Sequence, residues 1–116
     1  NPVLTVFGVA YKGNVGDTRQ SPAQKVISLL KGKGYEVRIY DPMVEDFMNE
    51  LLPLSEAVTD SDCIVVLADH RAFNNLDISS ISPLMKHKKV IDTKHCLSSD
   101  WERAGFSVRV LGHGLE

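Results

Sequence analysis

Short apolar runs alternate with helical segments along the whole chain, and this alternation constrains the fold more than any other feature. Runs that suit buried strands begin at Val3, Glu36, Cys63, Val90 and Ser107. Strands separated by helices favour parallel β-α-β units with right-handed crossovers. We therefore predict an α/β fold, a three-layer sandwich around a mostly parallel, Rossmann-like open sheet.

The same patterns give the expected bounds of each element. The predicted strands cover residues 3–9, 36–40, 63–67, 90–92 and 107–111. The predicted helices cover 22–33, 44–52, 55–59, 78–85 and 99–104, with one more turn at 71–74. In the first helix, the apolar spacing predicts a buried face of Val26, Ile27, Leu29 and Leu30. Ser55 is expected to cap the third of these helices.

Size and charge restrict the function classes. A chain of 116 residues suits one domain, and we expect it to cover 1–114, with Leu115-Glu116 as the remnant of a purification tag. A net charge of −2 gives no overall attraction for nucleic acid. The sequence shows no membrane-span or secretion pattern, which favours a cytoplasmic protein with free thiols. The cysteines and histidines show no zinc-ligand spacing.

A glycine-rich stretch follows the first predicted strand and carries charged side chains. It contains Lys12, Asp17 and Arg19, and it ends where Ser21 and Pro22 suit the N-cap and first position of a helix, with a capping box closed by Gln24. Ligands of open α/β sheets bind at loops that leave the carboxyl ends of strands. Glycine backbone with Lys and Arg suits a phosphate-bearing ligand. The alternative is a solvated loop with a surface ion pair.

A degenerate dinucleotide fingerprint overlaps this stretch. Gly8, Ala10 and Gly13 imitate the glycine spacing, and Asp41 closes the second strand where a ribose-binding acid would lie. The helix, however, opens at Ser21, eight residues after Gly13, so its N-terminus is not aimed at a pyrophosphate. NAD binding on this loop is therefore disfavoured, and the expected role of Asp41 is an Asx-Pro turn.

Two further segments follow strand ends. Residues 92–95 carry Lys94, which could meet Lys12 around one anionic ligand if the sheet is doubly wound; the alternative is a capped turn. Asp69 and His70 suggest a general base, but the favoured interpretation is an ordered loop in which Asp69 caps a turn, His70 is hydrogen-bonded and Phe73 packs on the core.

The cysteines are the remaining candidates for chemistry. Cys63 is expected to be a small buried hydrophobe at a strand start. Cys96 lies at a strand end, where a reactive thiol is conceivable.

Five motifs in order resemble the carboxyl-terminal, UDP-binding domain of the UDP-glucose/GDP-mannose dehydrogenase family. They are Gly8-Val-Ala-Tyr-Lys, Asp17-Thr-Arg-Gln-Ser-Pro-Ala, Tyr40-Asp-Pro, Asp69-His-x-x-Phe73 and Val90-Ile-Asp-Thr-Lys94. The resemblance implies an NAD-dependent enzyme of polysaccharide biosynthesis that oxidises the C6 alcohol of a UDP-sugar to the acid. The Asp-His-x-x-Phe stretch is similar to the branch that acts on UDP-N-acetylhexosamines, such as UDP-N-acetylmannosamine.

The resemblance also implies which residues bind substrate and which parts lie elsewhere. Tyr11, Lys12, Arg19 and Lys94 match positions that bind the nucleotide sugar. Many relatives have Arg in place of Lys94, and Lys keeps the charge without the bidentate fork. The catalytic cysteine, the NAD site and the central dimerising helix belong to other domains of the family's chains. By this resemblance the fragment alone is inactive and works within a homodimer. The alternative is a stand-alone NAD(P)- or nucleotide-sensing α/β module.

Overall fold

The computed structural model describes residues 2–10, 22–45 and 47–110. Within these residues the chain forms five strands and four α-helices. The strands are β1 (Val3–Phe7), β2 (Glu36–Tyr40), β3 (Cys63–Val66), β4 (Lys89–Asp92) and β5 (Ser107–Val110). The helices are α1 (Ala23–Gly32), α2 (Leu54–Val58), α3 (Ile78–Ile81) and α4 (Asp100–Arg103), with 3₁₀ turns at Arg71–Asn74 and Ser82–Leu84.

The strands form one parallel sheet in the order β2-β1-β3-β4-β5. At the carboxyl end of β1, Phe7 lies opposite Tyr40 of β2 and Val66 of β3. After β1, the chain forms β2 on one side of β1 and then crosses over to form β3 on the other side. The carboxyl ends of β1 and β3 therefore flank a topological switch point, where ligands of such sheets bind. The predicted α/β fold is confirmed.

One apolar cluster lies on each face of this sheet. On one face, Val6 and Ile39 pack with Ile27 of α1. On the other face, Ile64 and Val66 pack in a larger cluster that the remaining helices close; its members include Phe7, Phe73, Trp101 and Phe106.

The segment 44–52, predicted as a helix, is not helical in its described residues. Leu51 instead forms a parallel bridge with Ile39, and the amide of Leu52 donates to the Ile39 carbonyl over 2.8 Å. The outer edge of β2 has unpaired backbone groups, and bonding them outweighs the local helical pattern.

Three smaller predictions about helices are also wrong or outside the described residues. Ser55 lies inside α2, where Pro53 takes the cap position. Leu29 of α1 is 65% exposed, whereas Ile27 is buried. Ser21 is outside the described residues, and Gln24 bonds to Ser28 and Asn49.

None of the helices formed by the described residues is long and apolar enough to cross a membrane.

Candidate functional site at the carboxyl edge of the sheet

Gly8 lets the chain leave β1 at the switch point in close contact with β3. Its φ is +97°, in the left-handed region, and its amide donates to the Tyr40 carbonyl over 3.0 Å. A Cβ added at Gly8 would lie 2.5 Å from the Cβ of Ala68. Both the backbone angle and this approach exclude a larger residue without rearrangement.

Asp41, directly after β2, fixes the residues that follow Gly8. Its Oδ2 accepts hydrogen bonds from the amides of Val9 at 2.8 Å and Ala10 at 3.3 Å. Its Oδ1 accepts one from the amide of Met43 at 2.8 Å, which confirms the predicted Asx turn. The carboxylate is buried, with 5% of the residue exposed. One side chain therefore joins the ends of β1 and β2.

His70, which follows β3, also contacts Asp41. Its Nε2 lies 3.0 Å from Asp41 Oδ2, and neither side chain has exposed area. The imidazole packs against Phe73, with ring centroids 5.2 Å apart. The predicted hydrogen bond of His70 and the packing of Phe73 are confirmed. Asp69 does not cap the turn at Arg71–Asn74, because His70 takes the cap position.

These bonds do not fit the dinucleotide fingerprint. The Asp41 carboxylate already accepts four donors, so its oxygens are not presented to a ribose. The amides of Val9 and Ala10 turn towards Asp41, so neither can donate to a pyrophosphate. Helix α1 begins only at Ala23. Residues 8–10 and Asp41 thus form a structural junction, and the described residues at this loop do not suit NAD.

Asp92 builds the loop after β4 that carries Lys94. Its Oδ1 accepts a hydrogen bond from the Lys94 amide at 3.1 Å, and its Oδ2 accepts from the amides of Cys96 at 2.8 Å and Leu97 at 2.9 Å. Asp92 is buried, whereas Lys94 is exposed. His95 completes the turn with a φ of +55°. The loop therefore holds the Lys94 backbone while its ammonium group faces solvent.

Asn74 holds this loop against the turn that follows β3. Its Nδ2 donates to the Cys96 carbonyl over 2.8 Å, and its Oδ1 accepts from the Ser98 amide over 2.8 Å. Sequence reasoning missed Asn74, because no local pattern links it to a loop more than twenty residues later. The adjacency of β3 and β4 creates the contact.

Cys96 is unsuited to act as a nucleophile. Burial, and then the negative charges of Asp92 and Asp69, raise the pKa of its thiol to about 12. Burial also raises the pKa of the Cys63 thiol. Both cysteines are free, as the sequence predicts, and both are half-buried. The prediction that Cys63 is fully buried is wrong. A thiolate is the reactive form, so the alternative of a reactive Cys96 is disfavoured.

The structure places one of the four predicted substrate-binding residues. Lys94 lies at the carboxyl edge, in the loop that follows β4, and β4 is separated from β1 by β3. Tyr11, Lys12 and Arg19, and Asp17 with them, are outside the described residues. Their segment leaves the junction at Ala10, on the same edge as Lys94.

Comparison with known proteins matches nearly the whole chain. The model of the UDP-glucose/GDP-mannose dehydrogenase family, UDP binding domain, matches residues 5–99. A UDP-N-acetyl-D-mannosamine dehydrogenase from Methanocaldococcus jannaschii is 48% identical over 115 residues, which are 96% of this chain and 27% of that protein. Another of that name, from Methanococcus vannielii, is 47% identical over 97% of this chain and 27% of its own length.

A solved structure agrees with these sequences. The UDP-D-ManNAc dehydrogenase from Pyrococcus horikoshii superposes with a TM-score of 0.80 and 35% identity, over 98% of this chain and 26% of that one. The chain thus spans about a quarter of the length of the relatives it matches.

Proposed function

Because the chain belongs to the UDP-glucose/GDP-mannose dehydrogenase family as its UDP binding domain, we propose that it forms the nucleotide-sugar half of the active-site cleft in an NAD-dependent UDP-sugar 6-dehydrogenase. The full enzyme converts the C6 alcohol of the sugar to a carboxylate, using two NAD. The substrate is UDP-N-acetylmannosamine or a related UDP-N-acetylhexosamine. The observation that carries this proposal is that nearly the whole chain matches about a quarter of the length of proteins named UDP-N-acetyl-D-mannosamine dehydrogenase.

The geometry supports a nucleotide-binding role through side chains. At the switch point, the first amides after Gly8 already donate hydrogen bonds to Asp41. The diphosphate is therefore held by cationic side chains of the flanking loops. Lys94 supplies one such cation from the Asp92-built loop. Lys12 and Arg19 supply the others from the segment after Ala10. A Lys acts on phosphate as a point charge, which tolerates variation in the angle of approach.

The remaining parts of the reaction lie outside this chain. We assign NAD binding and the catalytic cysteine to the preceding domain, and dimerisation to a central helical domain of the same polypeptide. NAD supplies the hydride acceptor when bound there. The 116-residue chain alone is therefore expected to bind UDP weakly and to catalyse nothing.

An amide-shift NMR titration of the chain, with UDP and NAD in separate samples, tests the proposal. We expect UDP to shift the amides of residues 11–19 and 93–96, and NAD to shift none of them. Replacing Lys94 with Ala removes one charge-assisted contact and raises the Kd for UDP about tenfold. Lys33→Ala, which removes an exposed cation at the far end of α1, is the control and leaves the Kd unchanged.

Three results would contradict the proposal or a part of it. Equal UDP affinity in Lys12→Ala, Lys94→Ala and the unaltered chain removes the site assignment. Shifts from NAD at Gly8, Val9 and Asp41 instead indicate a stand-alone NAD(P)-binding module. On the full enzyme, faster NADH formation with UDP-glucose than with UDP-N-acetylmannosamine contradicts the assigned sugar.

A further inference from the structure

The buried contact between Asp41 and His70 links parts of the fold, but neither residue is among those assigned to nucleotide binding. The segment proposed above to bind the nucleotide follows Ala10 in the chain. Ala10 and Val9 are held by the same carboxylate oxygen that lies 3.0 Å from His70 Nε2. Asp41 and His70 therefore control the point from which that segment departs.

We propose that Asp41 and His70 are a pair of positioning residues that hold the backbone of Val9 and Ala10, the last described residues before the segment assigned to nucleotide binding. This inference rests on the proposed function. The pair acts through backbone amides and makes no contact with the ligand itself. It joins residues that follow β1, β2 and β3 at the switch point.

The distances show how the pair works. Asp41 Oδ2 accepts three donors, and the bond to Ala10 is the longest, 3.3 Å against 2.8 Å for Val9. For Nε2 to donate to a carboxylate, the imidazole must carry its proton on that nitrogen. His70 thereby fixes the position of the oxygen on which the Ala10 bond depends. Without the imidazole donor, the carboxylate is held by the amides of Val9, Ala10 and Met43, and we expect the longest of these bonds, that of Ala10, to weaken first.

Burial argues for a directing role over a purely stabilising one. Both side chains are removed from solvent, and desolvation offsets much of what a buried polar pair gains. A hydrophobic residue could fill the space of the imidazole beside Phe73. Such a residue could not hold the carboxylate oxygen at one position. The pair therefore specifies a direction of the backbone, which packing alone does not do.

The experiment compares two substitutions of His70 in this chain. His70→Leu keeps much of the volume and removes the donor. His70→Gln restores an N–H donor near the position of Nε2. We expect His70→Leu to raise the Kd for UDP about tenfold, because a misplaced binding group loses much of its contact energy. We expect His70→Gln to recover most of the affinity.

A second His–Asp pair provides the matched control. His87 Nδ1 lies 3.0 Å from Asp62 Oδ1, but the His87 side chain is 53% exposed and lies at the opposite edge of the sheet. His87→Leu therefore removes the same type of contact away from the cleft. We expect it to leave the Kd for UDP unchanged. Urea unfolding of each variant identifies the conditions under which all are fully folded.

The readouts separate this proposal from the proposed function. Hydrogen exchange and amide shifts of Val9 and Ala10 are measured without nucleotide, and we expect faster exchange at Ala10 in His70→Leu but not in His70→Gln. If the unaltered chain binds no UDP, the proposed function fails, and the exchange of Ala10 alone decides the role of the pair. Unchanged exchange at Ala10, or full UDP affinity in folded His70→Leu, overturns the proposal.

Discussion

Two His–Asp contacts of equal length lie at opposite ends of β1. Asp41 accepts the amide of Val9, just after the strand, and pairs with His70 at 3.0 Å. Asp62 accepts the amide of Val3, the first residue of the strand, and pairs with His87 at 3.0 Å. In residue types and distance the two arrangements are alike.

Their surroundings differ. The side chains of His70 and Asp41 have no exposed area, whereas those of His87 and Asp62 are 53% and 22% exposed. At the exposed end, water replaces a lost partner, so the contact contributes little. At the buried end, a lost partner leaves donors that nothing replaces. The same pair of residues is therefore a surface contact in one place and a structural junction in the other.

The largest expected difference comes from removing each aspartate. Asp41→Ala leaves two amides at the end of β1 and the His70 donor without their acceptor. We expect it to lower the free energy of unfolding by roughly 3–5 kcal/mol. Asp62→Ala is expected to lower it much less, since water can reach the freed groups. Urea unfolding of both variants measures the difference, and equal losses would show that burial does not distinguish the two pairs.

A smaller difference is expected between two glycines near these ends. Gly8 and Gly34 have φ values of +97° and +94°, so alanine at either site adds left-handed strain of about 1–2 kcal/mol. Only at Gly8 does the new Cβ meet another residue, Ala68 at 2.5 Å; at Gly34 nothing lies within 4 Å. Overlap adds about 1–3 kcal/mol at Gly8 alone. Thermal unfolding of Gly8→Ala and Gly34→Ala checks this, and equal losses would contradict a close approach of β1 and β3.

The smallest effect concerns acid stability at the exposed end. The hydrogen bond from the Val3 amide, and secondarily that from His87, lowers the pKa of Asp62 despite an opposing effect of desolvation. A lowered pKa in the folded state stabilises the fold above the unfolded value of about 3.9, and this is lost as pH falls through the folded pKa. Asp62→Asn should therefore lose less stability than the unaltered chain below about pH 4. Urea midpoints across this range test it; parallel curves would contradict it.

The strands and the first helix could be predicted because their signals are local. The predicted strand 36–40 is that of the structure, and the other strands differ from their predicted bounds by at most two residues at one end, position 111 being outside the described residues. The helix predicted at 44–52 is wrong because the backbone of this segment pairs with the edge of β2, through Leu51 and Ile39. A helical pattern in the sequence carries no information about an unpaired strand edge elsewhere.

The candidate site also has contacts that could be predicted from the sequence and contacts that could not. The turns at Asp41 and Asp92 could be predicted, since their first partners, Met43 and Lys94, are two residues away. The bonds of Asp41 to Val9 and His70 join residues 32 and 29 positions apart. No spacing rule predicts such contacts. The positions of Lys12 and Arg19 relative to Lys94 stay a prediction.

The sequence by itself determined a parallel α/β domain with Lys94 in a loop at the carboxyl edge, because strand and helix periodicity and turn residues are properties of neighbouring residues. Only the tertiary structure decided that Asp41 serves the backbone of another strand and that His70 is buried beside it. The physical reason is the sheet order. It brings the ends of β1, β2 and β3 together and excludes water there, and this turns an ordinary Asx turn into a buried contact among three strand ends.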